Sequence, residues 1–138
     1  MRLKGLKEEE LFKELCKAAQ SKGYLSKVDY EVFLDAFGER FKRAWETLKA
    51  RRVKKYVFSP SGKVLWVVVG KKREYLILPM AGFCSCNDFF YRVMNGKSFL
   101  CYHLIAQRLA ETLNIYDTVE ETDAFYDLFM KEWKKVTP

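Results

Sequence analysis

The sequence has one histidine in 138 residues, three prolines, and no apolar run near the ~18 residues that a membrane span needs. Each shortage excludes something. A single histidine leaves no spare imidazole for a Ser–His or Cys–His nucleophile pair once that residue is committed elsewhere. No GxxxxGK[ST] phosphate loop and no Gly-x-Ser-x-Gly elbow occurs. Acids such as Glu46, Glu74 and Asp88 are scattered rather than clustered as a Mg²⁺ site requires. A non-enzymatic protein is expected. The opening MRLKGLKEEELFKEL is charged throughout, unlike a secretory signal. Without a signal, the four cysteines are expected in a reducing cytoplasm (nucleoid-associated in a prokaryote), as metal ligands or buried thiols.

Acids are also nearly missing from one stretch. From Arg40 to Arg73 there are twelve lysines and arginines against one acid, Glu46, a local charge of +11; the remaining 13 bases and 17 acids give −4. The net +7 therefore comes from this segment alone. Such a segment concentrates polyanions by counterion release, and nucleic acid is the commonest one. A solvated helix face with lysine-rich turns is the alternative. The expected phosphate-contacting residues are Arg40, Arg43, Arg51, Arg52, Lys54, Lys55, Lys71, Lys72 and Arg73.

What is present in quantity is apolar and aromatic surface, 49% and 16% of residues, enough for a folded globule with one modest core. Leu11, Phe12, Leu15, Cys16 and Ala19 recur at helical spacing, with Gly23 as a stop. Cys16 on that stripe reads as a small buried residue. Ser26-x-x-Asp29 predicts a capped second helix that carries Phe33, Phe37, Phe41, Ala44, Trp45 and Leu48 to about Ala50, weakened or kinked at Gly38. VKKYVF, VLWVVV and YLILPM, separated by turn residues, predict an antiparallel meander with Val64–Val69 buried on both faces. Helices are expected around Leu104–Leu113 and from the capping signal Thr118-x-x-Glu121 onward to Val136.

The class is α+β: N-terminal helices and a three- to four-stranded antiparallel meander (1–80), a ββα-like metal unit (81–114) and a C-terminal helix (115–138), all as one compact domain.

The lone histidine stands two residues after a cysteine, with a Cys-Ser-Cys upstream. Cys84, Cys86, Cys101 and His103 supply three thiolates and one imidazole, a full tetrahedral shell for one structural Zn²⁺. Cys84 and Cys86 fit the tip of a short strand. Asn87 or Asp88 caps a helix through Met94 that Asn95-Gly96 ends. A redox pair, an open catalytic zinc, an iron–sulfur cluster and plain buried cysteines are the competing readings; a closed four-ligand shell favours structural zinc.

Cys84-Ser-Cys86 followed by Cys101-Tyr-His103 resembles the SWIM zinc finger, C-x-C-x(n)-C-x-H, and Ala106 completes the longer C-x-H-x-x-A form. Asp88-Phe89 also resembles the family, and the preceding helices and meander resemble small archaeal SWIM proteins. The longer form is that of the SWIM subunit of Shu-type complexes, which assist RecA-like recombinases. The resemblance therefore implies an accessory role in homologous recombination and DNA repair, with a RecA-like ATPase paralogue and sequence-independent DNA as partners. A protein-interaction module with structural zinc and no nucleic-acid contact is the alternative. Tyr102 departs from the family, which commonly has a basic residue between the last cysteine and the histidine, and the larger SWIM architectures with an ATPase or transposase region are not expected.

Overall fold

A computed structural model describes residues 4–94 and 100–134. Their elements run α1 (Lys4–Lys22), α2 (Lys27–Phe37), α3 (Glu39–Lys49), β1 (Val53–Ser59), β2 (Val64–Val69), β3 (Glu74–Leu78), β4 (Phe83–Cys84), α4 (Asn87–Met94), α5 (Tyr102–Leu113), β5 (Asp117–Thr122) and α6 (Tyr126–Lys134). The class is α+β, as expected. Among the described residues no helix is long and apolar enough to cross a membrane.

The capping box forms as the sequence predicts. Asp29 N–H donates to Ser26 Oγ at 3.1 Å, and Ser26 N–H donates to the Asp29 carboxylate at 3.2 Å. The long second helix does not form as one piece. Gly38 adopts φ 60°, ψ −134°, which ends α2 and starts α3 in a new direction. That conformation is open to glycine and strained for other residues, so a position that only weakens a helix by propensity here breaks it. The break brings Phe33 onto Phe41 as a stacked pair at 5.1 Å, with Phe12 of α1 edge-on to Phe33 at 5.7 Å. All three rings are fully buried, each worth ~1.5–3 kcal/mol. Leu11, by contrast, is exposed, so the stripe on α1 is narrower than its spacing suggests.

The sheet order is β4-β3-β2-β1-β5. The first four strands are the expected antiparallel meander. β5 is a correction. Thr118 to Thr122 were expected to open a helix, but they pair parallel to β1, from Lys54↔Asp117 to Ser59↔Thr122, and the helix begins only at Tyr126. The edge of β1 supplies six residues of backbone partners, which outweighs a local capping signal. The expected register of Val136 and the helix end at Asn95-Gly96 lie outside the described residues.

β2 is buried on both faces, as its apolar run implies. Trp66 and Val68 join Val53, Ile77 and Cys84 under α1, α2, α3 and α5. Leu65 and Val67 join Phe58 and Leu76 under α6, whose Trp133 is buried and donates from Nε1 to Glu74. Tyr126, Phe129 and Trp133 therefore pack on the sheet. The cysteine unit sits where β4 and the start of α5 meet the helical face.

Candidate metal centre

The β3–β4 hairpin places the first ligand pair. Cys84 pairs with Ile77, and alternation puts Cys84 and Cys86 on one side with Ser85 between them on the other. Ser85 is fully buried and doubly tied to Leu76: its N–H donates to the Leu76 carbonyl at 3.1 Å, and the Leu76 N–H donates to its Oγ at 3.0 Å. This lock keeps both cysteines facing the core. Cys86 then acts as an N-terminal cap: the Phe89 N–H donates to Cys86 Sγ at 3.3 Å and the Phe90 N–H to its carbonyl at 3.1 Å.

The second pair comes from the start of α5. Cys101 is its N-cap residue with extended backbone, φ −72°, ψ 166°, and His103 lies in the first turn. Two thiolates thus sit at helix N-termini, where the backbone dipole favours negative charge. Together the ligand atoms of Cys84, Cys86, Cys101 and His103 lie within 4.8 Å of one another, all buried. Tetrahedral zinc bonds of ~2.0–2.3 Å place donors roughly 3.5–3.8 Å apart, within a side-chain adjustment of this arrangement.

Two observations fit a cation. Both imidazole nitrogens of His103 are buried without a geometrically formed hydrogen bond among the described residues. The thiols also oppose one another electrostatically. Burial pushes Cys84 up, and burial pushes Cys101 up to about 12, while hydrogen bonds from the Cys101 and Cys84 thiols hold Cys86 down. A cation bound among three thiols this close and this buried would favour their thiolate forms. The Cys16 thiol, away from this set, is half-buried and raised to about 11 by burial, as suits a packing residue.

His103 is also held by rings that spacing alone did not reveal. Tyr102 lies 4.0 Å and Tyr75 4.2 Å from it, centre to centre. Arg43 sits over Tyr102 at 4.5 Å and Arg73 over Tyr75 at 5.0 Å. The signal for Tyr75 was register: it shares the face of Ile77, the partner of Cys84.

The nine basic candidates do not form one open surface. Arg40 is half-buried, donating to both Glu8 carboxylate oxygens at 2.8 and 3.1 Å and to the Leu100 carbonyl at 2.7 Å. Arg51 and Lys54 both bind Asp117 at 2.7 Å, and this pair of cations, Lys54 first, holds the Asp117 carboxyl down at about 2. Lys55 lies over the rings of Trp66 and Tyr116. Arg52 is half-buried beside β1. Arg43, Lys71 and Lys72 are exposed, and Arg73 is half-exposed.

A buried Cys₃His quartet on an α+β scaffold is consistent with a zinc-binding protein, and one homologue carries a zinc finger in its name. The chain belongs to the same family as an uncharacterized protein of Archaeoglobus fulgidus, 40% identical over 97 residues, 70% of this chain and 74% of that protein. A further homologue is the zinc finger SWIM domain-containing protein 7 homolog of Dictyostelium discoideum, 34% identical over 83 residues. That match spans 59% of this chain and 53% of the Dictyostelium protein. No family profile matches, and no solved structure does.

Proposed function

We propose that the chain is a non-enzymatic, zinc-scaffolded accessory protein of homologous recombination and DNA repair, which contacts nucleic-acid backbone and holds a RecA-like ATPase paralogue. The buried Cys84, Cys86, Cys101 and His103 quartet, in a chain with a SWIM-containing homologue, carries the reading. The recombination role rests on the longer C-x-H-x-x-A form; its last residue, Ala106, is fully buried in α5. Zinc fastens β4 and α4 to α5 and does no chemistry.

The nucleic-acid half is supported by the bases that stand at the surface among the described residues. Arg43, Lys71 and Lys72 are exposed, and Arg43 and Arg73 both border the rings that pack on His103. Phosphate contact by such residues is independent of sequence. The test is fluorescence anisotropy with single- and double-stranded oligonucleotides across a salt series. The reading expects affinity that falls steeply with salt, little sequence preference, and loss of at least tenfold in the Lys71→Glu/Lys72→Glu variant. No binding at low salt, or binding indifferent to salt, overturns this half. Affinity purification from native lysate with mass spectrometry tests the other half, with a RecA-like ATPase as the expected companion and its absence as the contrary result.

A second reading is a protein-interaction module without nucleic-acid contact. It is favoured by the internal commitment of Arg40, Arg51 and Lys54, and by exposed Met80, Phe90 and Tyr91 on the hairpin turn and α4. Under it, the Lys71→Glu/Lys72→Glu variant retains every protein partner and the wild type shows no salt-dependent oligonucleotide binding.

A further inference from the structure

Metal-bound histidine ordinarily fixes its ring by donating its second N–H to a carboxylate, a carbonyl or water, and losing that partner typically costs 10–100-fold in metal affinity. Among the described residues no carboxylate or carbonyl accepts from His103, whose Nδ1 and Nε2 are both buried. The described residues that press on the ring are aromatic. The imidazole is 5% exposed, and beside the cysteine sulfurs it packs on the rings of Tyr102 at 4.0 Å and Tyr75 at 4.2 Å, tilted by 33° and 31°.

Both tyrosines are themselves held. The Arg43 guanidinium lies over Tyr102 and that of Arg73 over Tyr75, where each cation is attracted to the face of the ring. Tyr75 also fills the space that a side chain at Gly70 would take. A Cβ there would stand 2.7 Å from Tyr75 Cε2 and 2.9 Å from the Arg73 carbonyl oxygen. The absent side chain at Gly70 is therefore a notch cut for the Tyr75 ring.

We infer that Tyr75 and Tyr102 are positioning residues that aim the His103 imidazole at the metal by ring packing in place of a hydrogen bond, with Gly70 admitting the Tyr75 ring. The inference rests on the zinc reading of the quartet. It makes Tyr102, which interrupts the family's basic pattern, a part of the site. Because the contact is with the ring and not the hydroxyl, phenylalanine replaces either tyrosine and leucine does not.

The full chain, reduced and zinc-loaded, is titrated with a chromophoric chelator to give zinc affinity, and the Co²⁺-substituted protein gives the ligand-field spectrum of the same site. Wild type fixes the baseline: no stoichiometric metal there overturns the zinc reading and this inference with it. With metal bound, Tyr102→Leu and Tyr75→Leu are expected to lose 10–100-fold in affinity and to shift the Co²⁺ bands, while Tyr102→Phe and Tyr75→Phe stay within threefold of wild type. Gly70→Ala, which leaves all ligands and both tyrosines in place, is expected to lose affinity in the same direction as Tyr75→Leu. It serves as the test should a leucine variant fail to fold. Wild-type affinity and spectrum in Gly70→Ala and in the folded leucine variants would overturn the inference, as would equal losses in the phenylalanine and leucine variants.

Discussion

The Arg43 guanidinium lies 4.5 Å from the ring centre of Tyr102, the residue between ligands Cys101 and His103. The SWIM pattern commonly has a basic residue at that place; here the cation comes from α3, delivered across the α3–α5 contact. Replacing Arg43 by Met is expected to weaken oligonucleotide binding and to lower the salt slope by about one, with one metal per chain retained. Parallel salt titrations of wild type and variant check this; an unchanged slope would remove Arg43 from the interface.

Arg40 has a different task from Arg43, three residues on. It bridges Glu8 of α1 and the Leu100 carbonyl just before the Cys101 ligand. Arg40→Ala is expected to destabilise the fold by about 1–3 kcal/mol, because a half-buried carboxylate and a carbonyl lose a charged donor together. Urea denaturation measures it. A midpoint equal to wild type, with reduced oligonucleotide binding, would mean that Arg40 serves the surface instead.

Gly38 offers a test in which propensity and conformation disagree. Alanine is the better helix former by about 1 kcal/mol, and no neighbouring atom lies within 4 Å of a Cβ there. Yet φ 60°, ψ −134° is strained for alanine, so Gly38→Ala is expected to lose about 1–3 kcal/mol in denaturant midpoint. A stabilised variant would show that α2 and α3 are one helix after all.

How much of this was legible beforehand divides along local and non-local lines. The convergence of Cys84, Cys86, Cys101 and His103 was readable because two-residue spacings have direct meanings: alternation on a strand for Cys84 and Cys86, and an N-cap followed by the first helical turn for Cys101 and His103. The capping box at Ser26 was readable for the same reason. β5 was not. Thr118 and Glu121 carry a helix-start signal, and only the open edge of β1, more than fifty residues upstream, turns that segment into a strand. The basic segment was visible as charge, but not the acids that neutralise part of it. Glu8 and Asp117 are distant in sequence from Arg40, Arg51 and Lys54. The Tyr75 contact with His103 likewise exists only through strand register.

Asp117 links the new strand to pH. Lys54 and Arg51 hold its carboxyl at about 2 in the fold, below its ordinary value of 3.8, so the unfolded chain binds a proton more readily than the folded one. The stabilisation is present above pH 3.8 and is lost as pH falls through about 2. Asp117→Asn should flatten the acid limb of a stability–pH curve in that window. A curve identical to wild type would show that the pair contributes nothing there.

Metal removal is the most direct test of all. A structural zinc site ties on the order of 10 kcal/mol to folding, comparable with the whole stability of a small domain. Elemental analysis of the purified, reduced chain, run beside a thermal melt, is expected to give one zinc per chain. In Cys86→Ser and His103→Ala, zinc and the melting transition are expected to be lost together. A reduced, folded protein with no stoichiometric transition metal, or variants that melt like wild type, would contradict the account.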